Sequence, residues 1–200
     1  MKKTLYISAV FCVTLFAIVA KAQTISTFAG SAGASGTYTG DGGAATAAGF
    51  DFPGAPVMDA AGNIYITDRD NHVVRKVSTA GIITTIAGDG TAGGLGDGGA
   101  ATAAQLSQPV GLTIDASGNL YVAEHGGHRI RKITPAGIIS TVAGSGVSGH
   151  TGDGGAATAA KISYPTDVAF DGAGNMYISC MRSHIGIAFI GTHYYPTGLG

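Results

Sequence analysis

A repeat of 56 residues is the feature that most constrains this chain. The nine letters GDGGAATAA stand at residues 40–48 and return at 96–104 and 152–160. Each unit keeps a proline, an aspartate and a tyrosine in the same register: Pro53, Pro109 and Pro165; Asp59, Asp115 and Asp171; Tyr65, Tyr121 and Tyr177. A long period held in one register is typical of a repeat architecture rather than of biased composition.

Each unit predicts four short strands separated by turns. In the second unit, residues 110–114 and 120–123 are apolar and β-favouring, and the turn letters DASGN lie between them. Two further runs, at 128–133 and 138–142, complete the unit. Four short antiparallel strands form one blade of a β-propeller. The sequence therefore predicts an all-β fold with about three blades, present as a partial or open ring.

These residues resemble the NHL-repeat family of β-propellers. The similarity runs through 109–112, 115–122 and 128–133 in the second unit and through 68–76 in the first. It is closest to bacterial members that carry a GDGG-x-ATAA insert before the proline, and it covers about residues 24–179. The resemblance implies four-stranded blades around a central channel, usually six of them. Three repeats therefore imply a fragment, a half-ring that pairs with another, or an open array.

The N-terminal segment predicts export to the periplasm or the extracellular space. Residues 1–22 join Lys2 and Lys3 to a short apolar run and a small-x-small site, as in a secretory signal peptide cleaved after Ala22. No stable membrane span is expected after cleavage. Cleavage removes three of the 11 basic residues and none of the 12 acidic ones, which leaves 8 minus 12, or −4. An acidic exported chain is a poor nucleic-acid ligand, so no such partner is expected.

The repeat register fails after Ser179, which divides the mature chain into blades at 23–179 and a tail at 180–200. Two explanations stay open: a divergent terminal blade, or a frameshifted or truncated reading frame, which we favour. Cys180 is the only cysteine outside the signal peptide, so no intrachain disulfide is expected. The unpaired ends of the array predict a homodimer that closes the ring.

Seven polar residues are candidates for ligand binding. Strand alternation predicts that the turn before His128 and the GDGG insert share one end of the propeller, with the DxxGN turns at the other. Loops on one face of a rigid scaffold are where binding sites usually form. The candidates on that predicted surface are Asp41, Asp97, Asp153, Asp68, Glu124, His72 and His128.

Several of these residues also have simpler interpretations. His72, His128 and His184 recur at one blade position, and a metal needs donors about 2 Å from one centre, so each histidine is expected to close its own turn. One carboxylate per GDGG loop is too few for a calcium site, and Asp97 is expected to cap the Ala-rich stretch after it. No metal and no other cofactor is therefore predicted.

The basic residues of the third strands predict a solvated blade face rather than a phosphate site. The first unit has Arg75 and Lys76, and the second has Arg129, Arg131 and Lys132, on alternating strands. No catalytic residues are predicted, because no G-x-S-x-G occurs and the polar residues that break the repeat lack a matched partner. Those residues are chiefly Glu124, His125 and His150.

Two functions from different classes follow. The first is a non-enzymatic recognition scaffold that binds a protein, a peptide or a glycan through its loop face outside the cytoplasm. The second is a metal-dependent enzyme, because the six-bladed relatives implied by the resemblance include lactonases and lyases, although this idea depends on fold analogy. A stalk within a longer exported protein is a third possibility. We favour the recognition scaffold.

Overall fold

The fold is described from a computed structural model, which covers residues 25–31, 36 and 38–181 and the backbone of 187–190. The predicted signal peptide, His184 and most of the tail lie outside these residues, so the predictions made for them stay predictions. None of the helices in the described ranges is long and apolar enough to cross a membrane.

The first two repeats each form a four-stranded antiparallel sheet whose strands pair in chain order. The strands of blade one are β1 (Pro53–Met58), β2 (Ile64–Asp68), β3 (Val73–Val77) and β4 (Ile83–Ala87). Those of blade two are β5 (Pro109–Ile114), β6 (Leu120–Glu124), β7 (Arg129–Ile133) and β8 (Ile139–Ala143). The predicted all-β blade architecture is confirmed, and the ring is open.

Blade three has three strands in the described part of the chain. They are β9 (Pro165–Phe170), β10 (Met176–Cys180) and β11 (Ile187–Ile190), with β10 in the middle. β11 lies inside the divergent tail, yet its backbone pairs with β10 from Met176↔Ile190 to Ser179↔Ile187. The repeat spacing would place residue 189 opposite Met176, because Ile133 faces Leu120 in blade two. The third strand is therefore present and displaced by one residue.

The core lies between adjacent blades. β1 contacts β5 and β5 contacts β9, so the first strand of each repeat packs beside that of the next. Leu112 on β5 and Val74 on β3 belong to one buried cluster that joins blades one and two. Gly111 lets two of these strands approach closely, since a Cβ there would overlap the backbone at Thr166. Each blade thus buries its faces against its neighbours.

The GDGG insert runs along the outer edge of the blade that follows it. Gly98 N–H donates to the Ile139 carbonyl at 2.8 Å, and Ile139 N–H donates to the Gly99 carbonyl at 3.1 Å. This pairing covers the exposed edge of β8, which would otherwise be open to association. The insert therefore lies beside an outer strand, which differs from the predicted position on a shared loop face.

The Ala-rich part of each insert is a single 3-10 turn, at Ala45–Ala47, Ala101–Ala103 and Ala157–Ala159. The residue that caps the second of these is Ala100, and no side chain bonds to its free N–H groups. The prediction that Asp97 caps this stretch is therefore wrong.

Candidate functional site

Asp41 and Asp97 each bind an arginine that is fully buried. Asp97 Oδ1 accepts hydrogen bonds from Arg131 Nη2 at 2.7 Å and Nε at 3.1 Å. Asp41 Oδ1 accepts from Arg75 Nη2 at 2.6 Å. Both guanidinium side chains are 0% exposed, whereas the two aspartates are 46% exposed. The prediction that these arginines give the blade a solvated face is therefore wrong.

The contacts of Asp97 set the pKa of its carboxyl group. Burial alone would raise the pKa of Asp97, but hydrogen bonds from Thr141 and the positive charge of Arg131 lower it below its usual range. In blade three the same insert carries Asp153, and Ala188 pairs with Ile178 where Arg131 pairs with Val122 in blade two. Among the described residues, no ion pair or hydrogen bond is formed by the Asp153 side chain. Asp41 and Asp97 are thus structural anchors of the insert.

Glu124 and Asp68 lie beneath the loop face and not on it. Both carboxylates are 0% exposed. Glu124 Oε1 accepts from Arg131 Nη1 at 3.3 Å, whereas its Oε2 has no hydrogen-bond partner among the described residues. Burial raises the pKa of Glu124 to about 7, although the charges of Arg131 and Arg129 act in the opposite direction. The structure therefore does not place these two acids on the predicted rim.

The repeated histidines connect one blade to the next. His72 Nδ1 accepts from Gln108 N–H at 3.2 Å, and His128 Nδ1 accepts from Tyr164 N–H at 3.1 Å. Both histidines have left-handed φ angles, of 57° and 52°. The acceptor role matches the prediction of a backbone hydrogen bond, but the donor lies in the following blade and not in the histidine's own turn. Burial lowers the pKa of His128, with a smaller contribution from Arg129.

The DxxGN turns at the opposite ends of the strands are closed by their aspartates. Asp115 Oδ1 accepts from Ser117 N–H and Asn119 N–H, both at 2.9 Å. Its Oδ2 accepts from Asn119 Nδ2 at 2.7 Å and from the Tyr121 hydroxyl at 3.1 Å. Burial and the neighbouring carboxylate raise the pKa of Tyr121 to about 12. The turn role predicted from the sequence is confirmed.

One cleft in the loop face breaks the repeat symmetry, and we call it the blade-two cleft. It has a volume of about 210 Å³, and it is lined by Gly93, Gly94, Ser107, Gly126, Gly127, Arg129 and Gly146. Blade one has Asp70, Asn71 and Val73 where blade two has Gly126, Gly127 and Arg129. The cleft therefore combines a repeat-breaking cation with a floor that lacks side chains.

The position of Arg129 depends on two of these glycines. Its Nη1 donates to the Gly94 carbonyl at 3.0 Å, while its Nε has no hydrogen-bond partner in the part of the chain that the structure describes. A Cβ at Gly94 or Gly146 would overlap the guanidinium group. The Glu124 carboxyl lies directly behind Gly127, because a Cβ added at Gly127 would overlap Oε2 of Glu124. Arg129 is thus a half-buried cation whose hydrogen-bonding capacity is only partly used.

An aromatic cluster adjoins the loop that forms one wall of the cleft. The ring of His125 lies 5.0 Å from that of Tyr164, which also contacts the His128 ring at 4.7 Å. The backbone N–H of His125 donates to the Gln108 carbonyl. This bond fixes the turn against the start of β5, because β5 begins at the residue after Gln108. Burial lowers the pKa of His125, and the charge of Arg69 adds to this effect. Within the described ranges, no group of three or more His, Cys, Asp or Glu side chains is placed to hold a metal ion.

Sequence reasoning considered Arg129 only as part of a basic stripe and assigned it to a solvated blade face. The available signal was the difference between equivalent repeat positions, since Val73 stands where blade two has Arg129. The seven predicted candidates were chosen for their expected position on one loop face, whereas Gly126, Gly127 and Arg129 mark the cleft by departing from the repeat. Proposed binding roles for those seven residues stay predictions.

The blades and their connections define an open β-propeller. Residues 91–148 match the family described as the Teneurin NHL domain. A 73-residue stretch is 42% identical to the protein SUPPRESSOR OF QUENCHING 1, chloroplastic, of Arabidopsis thaliana, and it covers 36% of this chain and 7% of that protein. These matches show similarity to NHL-repeat β-propellers, in agreement with the sequence resemblance.

Two solved structures from Bacteroides thetaiotaomicron are similar to this chain. A protein of unknown function is 32% identical, with a TM-score of 0.52, and the match covers 58% of this chain and 29% of that one. An auxiliary nutrient binding protein shares the fold at 20% identity, with a TM-score of 0.51 and coverage of 62% and 33%. The chain thus spans well under two thirds of the length of each of these three proteins.

Proposed function

We propose that this protein is an exported NHL-type recognition scaffold that binds a protein, a peptide or a glycan through the blade-two cleft of its loop face. The observation that carries the proposal is Arg129, a cation at a position where blade one has Val73, held in a cleft floored by glycine. A symmetric scaffold gains a specific site where its symmetry is broken, and loops held by rigid strands are suited to recognition.

The chemistry of the cleft favours a ligand with an anionic group. A guanidinium presents several donors in a planar fork that matches a carboxylate or a phosphate. One Arg129 donor, Nη1, is used by the Gly94 carbonyl, and no described residue accepts a hydrogen bond from Nη2. The Ser107 hydroxyl in the same lining offers a further hydrogen bond. Because Glu124 is buried with a pKa raised to about 7, it opposes an incoming anion less than an ordinary carboxylate would.

The size of the cleft limits what enters it. A volume of about 210 Å³ accommodates one side chain or one sugar unit, and it is below the usual range of about 300 to 1,000 Å³ for sites that enclose a whole small ligand. We therefore expect an end group or a projecting acidic group of a larger partner to bind there. The remaining contacts would come from the surrounding loop face.

A binding screen with matched variants tests this proposal. The mature protein, from Gln23, is applied to arrays of acidic and neutral peptides and of uronate-containing and neutral oligosaccharides. Arg129→Val introduces the residue that blade one has at this position, and Lys161→Gln removes one positive charge from an exposed position outside the cleft. Acidic ligands should bind the native protein and Lys161→Gln, and Arg129→Val should lose at least tenfold in affinity. Equal binding by all three proteins would contradict the proposal.

A further inference from the structure

The segment before blade one has the sequence of a fourth strand. Residues 25–30 read ISTFAG, residues 139–144 read ISTVAG and residues 83–88 read ITTIAG. The latter two contain β8 and β4, which are the fourth strands of blades two and one. The pattern I-[ST]-T-x-A-G thus occurs three times, and its first copy stands before blade one.

The backbone at the end of this segment has the same contacts as the ends of the fourth strands. Gly30 N–H donates to the Ala45 carbonyl at 2.9 Å, as Gly88 N–H donates to Ala101 at 2.9 Å and Gly144 N–H to Ala157 at 2.9 Å. The next residue repeats the pattern, with Ser31 N–H donating to the Ala48 carbonyl at 2.9 Å. The segment therefore has the position of a fourth strand relative to the insert that follows it.

What differs is that the segment has no sheet to join within the described residues. Ile25 is 101% exposed and Phe28 is 51% exposed, whereas Ile83 and Ile139 at the position of Ile25 are 0% exposed. No backbone ladder bond is formed by residues 25–29 with any described part of the chain. An isolated strand with exposed apolar side chains is a template for pairing with another sheet.

Blade three has the complementary feature. Its described sheet has three strands, and β11 lies at its edge. In blades one and two the third strand is instead paired with a fourth, in the registers Val77↔Ile83 and Ile133↔Ile139. Ile190 faces Met176 as Ile133 faces Leu120, so the edge of β11 offers the equivalent register to an incoming strand.

We propose that residues 25–30 of one copy pair as the fourth strand on β11 of a second copy, with Ile25 opposite Ile190, and that the exchange is reciprocal. Within one copy, blade two separates blade one from blade three, since β5 contacts both β1 and β9. Within its described residues, each copy supplies two complete blades, three strands of another and one strand to its partner. Two copies related by a two-fold axis would therefore form six blades, a number that closes a propeller ring.

The proposal rests on the repeat and the blade edges, and it is independent of the ligand proposed for the blade-two cleft. The exchange would bury Ile25 to the level of Ile83 and Ile139. Reciprocal exchange buries one Ile25 side chain from each copy, and burial of a large apolar side chain is strongly favourable. It would also pair the backbone of an open sheet edge at both junctions.

The mass of the mature protein in solution tests the exchange. Light scattering should give the mass of two chains for the native protein. Ile25→Asp should give one chain, because it places a charge at a position that the pairing buries, and it should keep the native circular dichroism because that side chain is exposed in the single copy. Ser26→Asp is the matched control, since the equivalent Thr84 is exposed in a formed sheet. It should stay dimeric.

A competing peptide provides a second readout that does not depend on a variant. A synthetic peptide with the sequence of residues 23–31 should convert the native pair to single chains, and the same peptide with Ile25→Asp should not. A native protein with the mass of one chain, or a pair that persists in Ile25→Asp, would overturn the proposal. Native assemblies larger than two chains would overturn the closed pair.

Discussion

Asp97 Oδ1 lies 2.7 Å from Nη2 of the fully buried Arg131, and this contact joins the repeated insert to the interior of its blade. Asp97→Ala should lower the free energy of unfolding by about 1 to 3 kcal/mol. Loss of an exposed ion pair costs about 1 kcal/mol or less, and loss of one partner of a buried pair costs about 3 to 5 kcal/mol. The expected loss lies between these values because Asp97 is half-exposed. Urea unfolding of the native protein and the variant measures this difference in the free energy of unfolding.

Asp153→Ala is the matched control for this prediction. The same nine letters surround Asp153, and no described residue forms an ion pair with it. Asp153→Ala should therefore change the free energy of unfolding by no more than about 0.5 kcal/mol, as most surface substitutions do. Equal losses in the two variants would show that the insert aspartates stabilise their loops without the arginine.

The buried pair of Arg131 and Glu124 predicts a non-additive result. Arg131→Met leaves the Glu124 carboxyl buried beside an apolar side chain and should cost about 3 to 5 kcal/mol. Adding Glu124→Gln removes the unpaired acid, so the double variant should recover part of that loss. Urea unfolding of the two single variants and the double variant gives the coupling energy. A double variant as unstable as the sum of the single variants would contradict the coupling.

Glu124 should also make stability depend on pH. Its pKa is raised by burial from the ordinary value of 4.5 to about 7, so the folded state holds its proton more tightly than the unfolded chain does. The stabilisation is complete below about pH 4.5 and is lost as the pH rises to about 7. His125 and His128, whose pKa values are lowered, act in the opposite direction near their ordinary value of 6.5.

The difference between the native protein and Glu124→Gln isolates this carboxyl, because the histidines contribute to both. The native protein should lose stability relative to the variant as the pH is raised from 4.5 to 7, and urea midpoints at half-unit steps measure the change. A constant difference across this range would mean that Glu124 does not titrate there.

The glycine floor of the cleft predicts a variant that affects binding more than stability. A Cβ at Gly94 would overlap the Arg129 guanidinium, which is the far end of a flexible side chain and is able to move away. Gly94→Ala should therefore weaken binding of an acidic ligand about tenfold and change the free energy of unfolding by less than about 1 kcal/mol. Gly172→Ala is the control, since nothing lies within 4 Å of a Cβ built there. Binding assays and urea unfolding on both variants check the prediction.

The blade architecture was predictable from sequence because its determinants are local and repeated. The DxxGN turn shows this clearly, since Asp115 bonds to residues only two, four and six positions away. The alternating strands on either side of that turn fix which side chains face the next blade. The same letters in each unit therefore predict the same turn and the same strand pair.

The roles of the charged residues were less predictable because they depend on distant contacts. Arg131 looks exposed on an alternating strand, but Asp97 reaches it from 34 residues away. His128 looks like part of its own turn, but its Nδ1 accepts a hydrogen bond from the backbone N–H of Tyr164, 36 residues along the chain. Neither spacing corresponds to a local motif, so the sequence alone does not reveal these partners.

The position of the bound ligand tests the central proposal most directly. Glycine amides are well separated in ¹⁵N-resolved NMR spectra, and the mature protein has them both in the cleft and in the turns at the other ends of the strands. Titration with the strongest acidic ligand from the arrays should shift the amides of Gly94, Gly126 and Gly127 and leave those of Gly62 and Gly118 unchanged. Shifts confined to Gly62 and Gly118, or absent from the cleft glycines, would contradict recognition through the blade-two cleft.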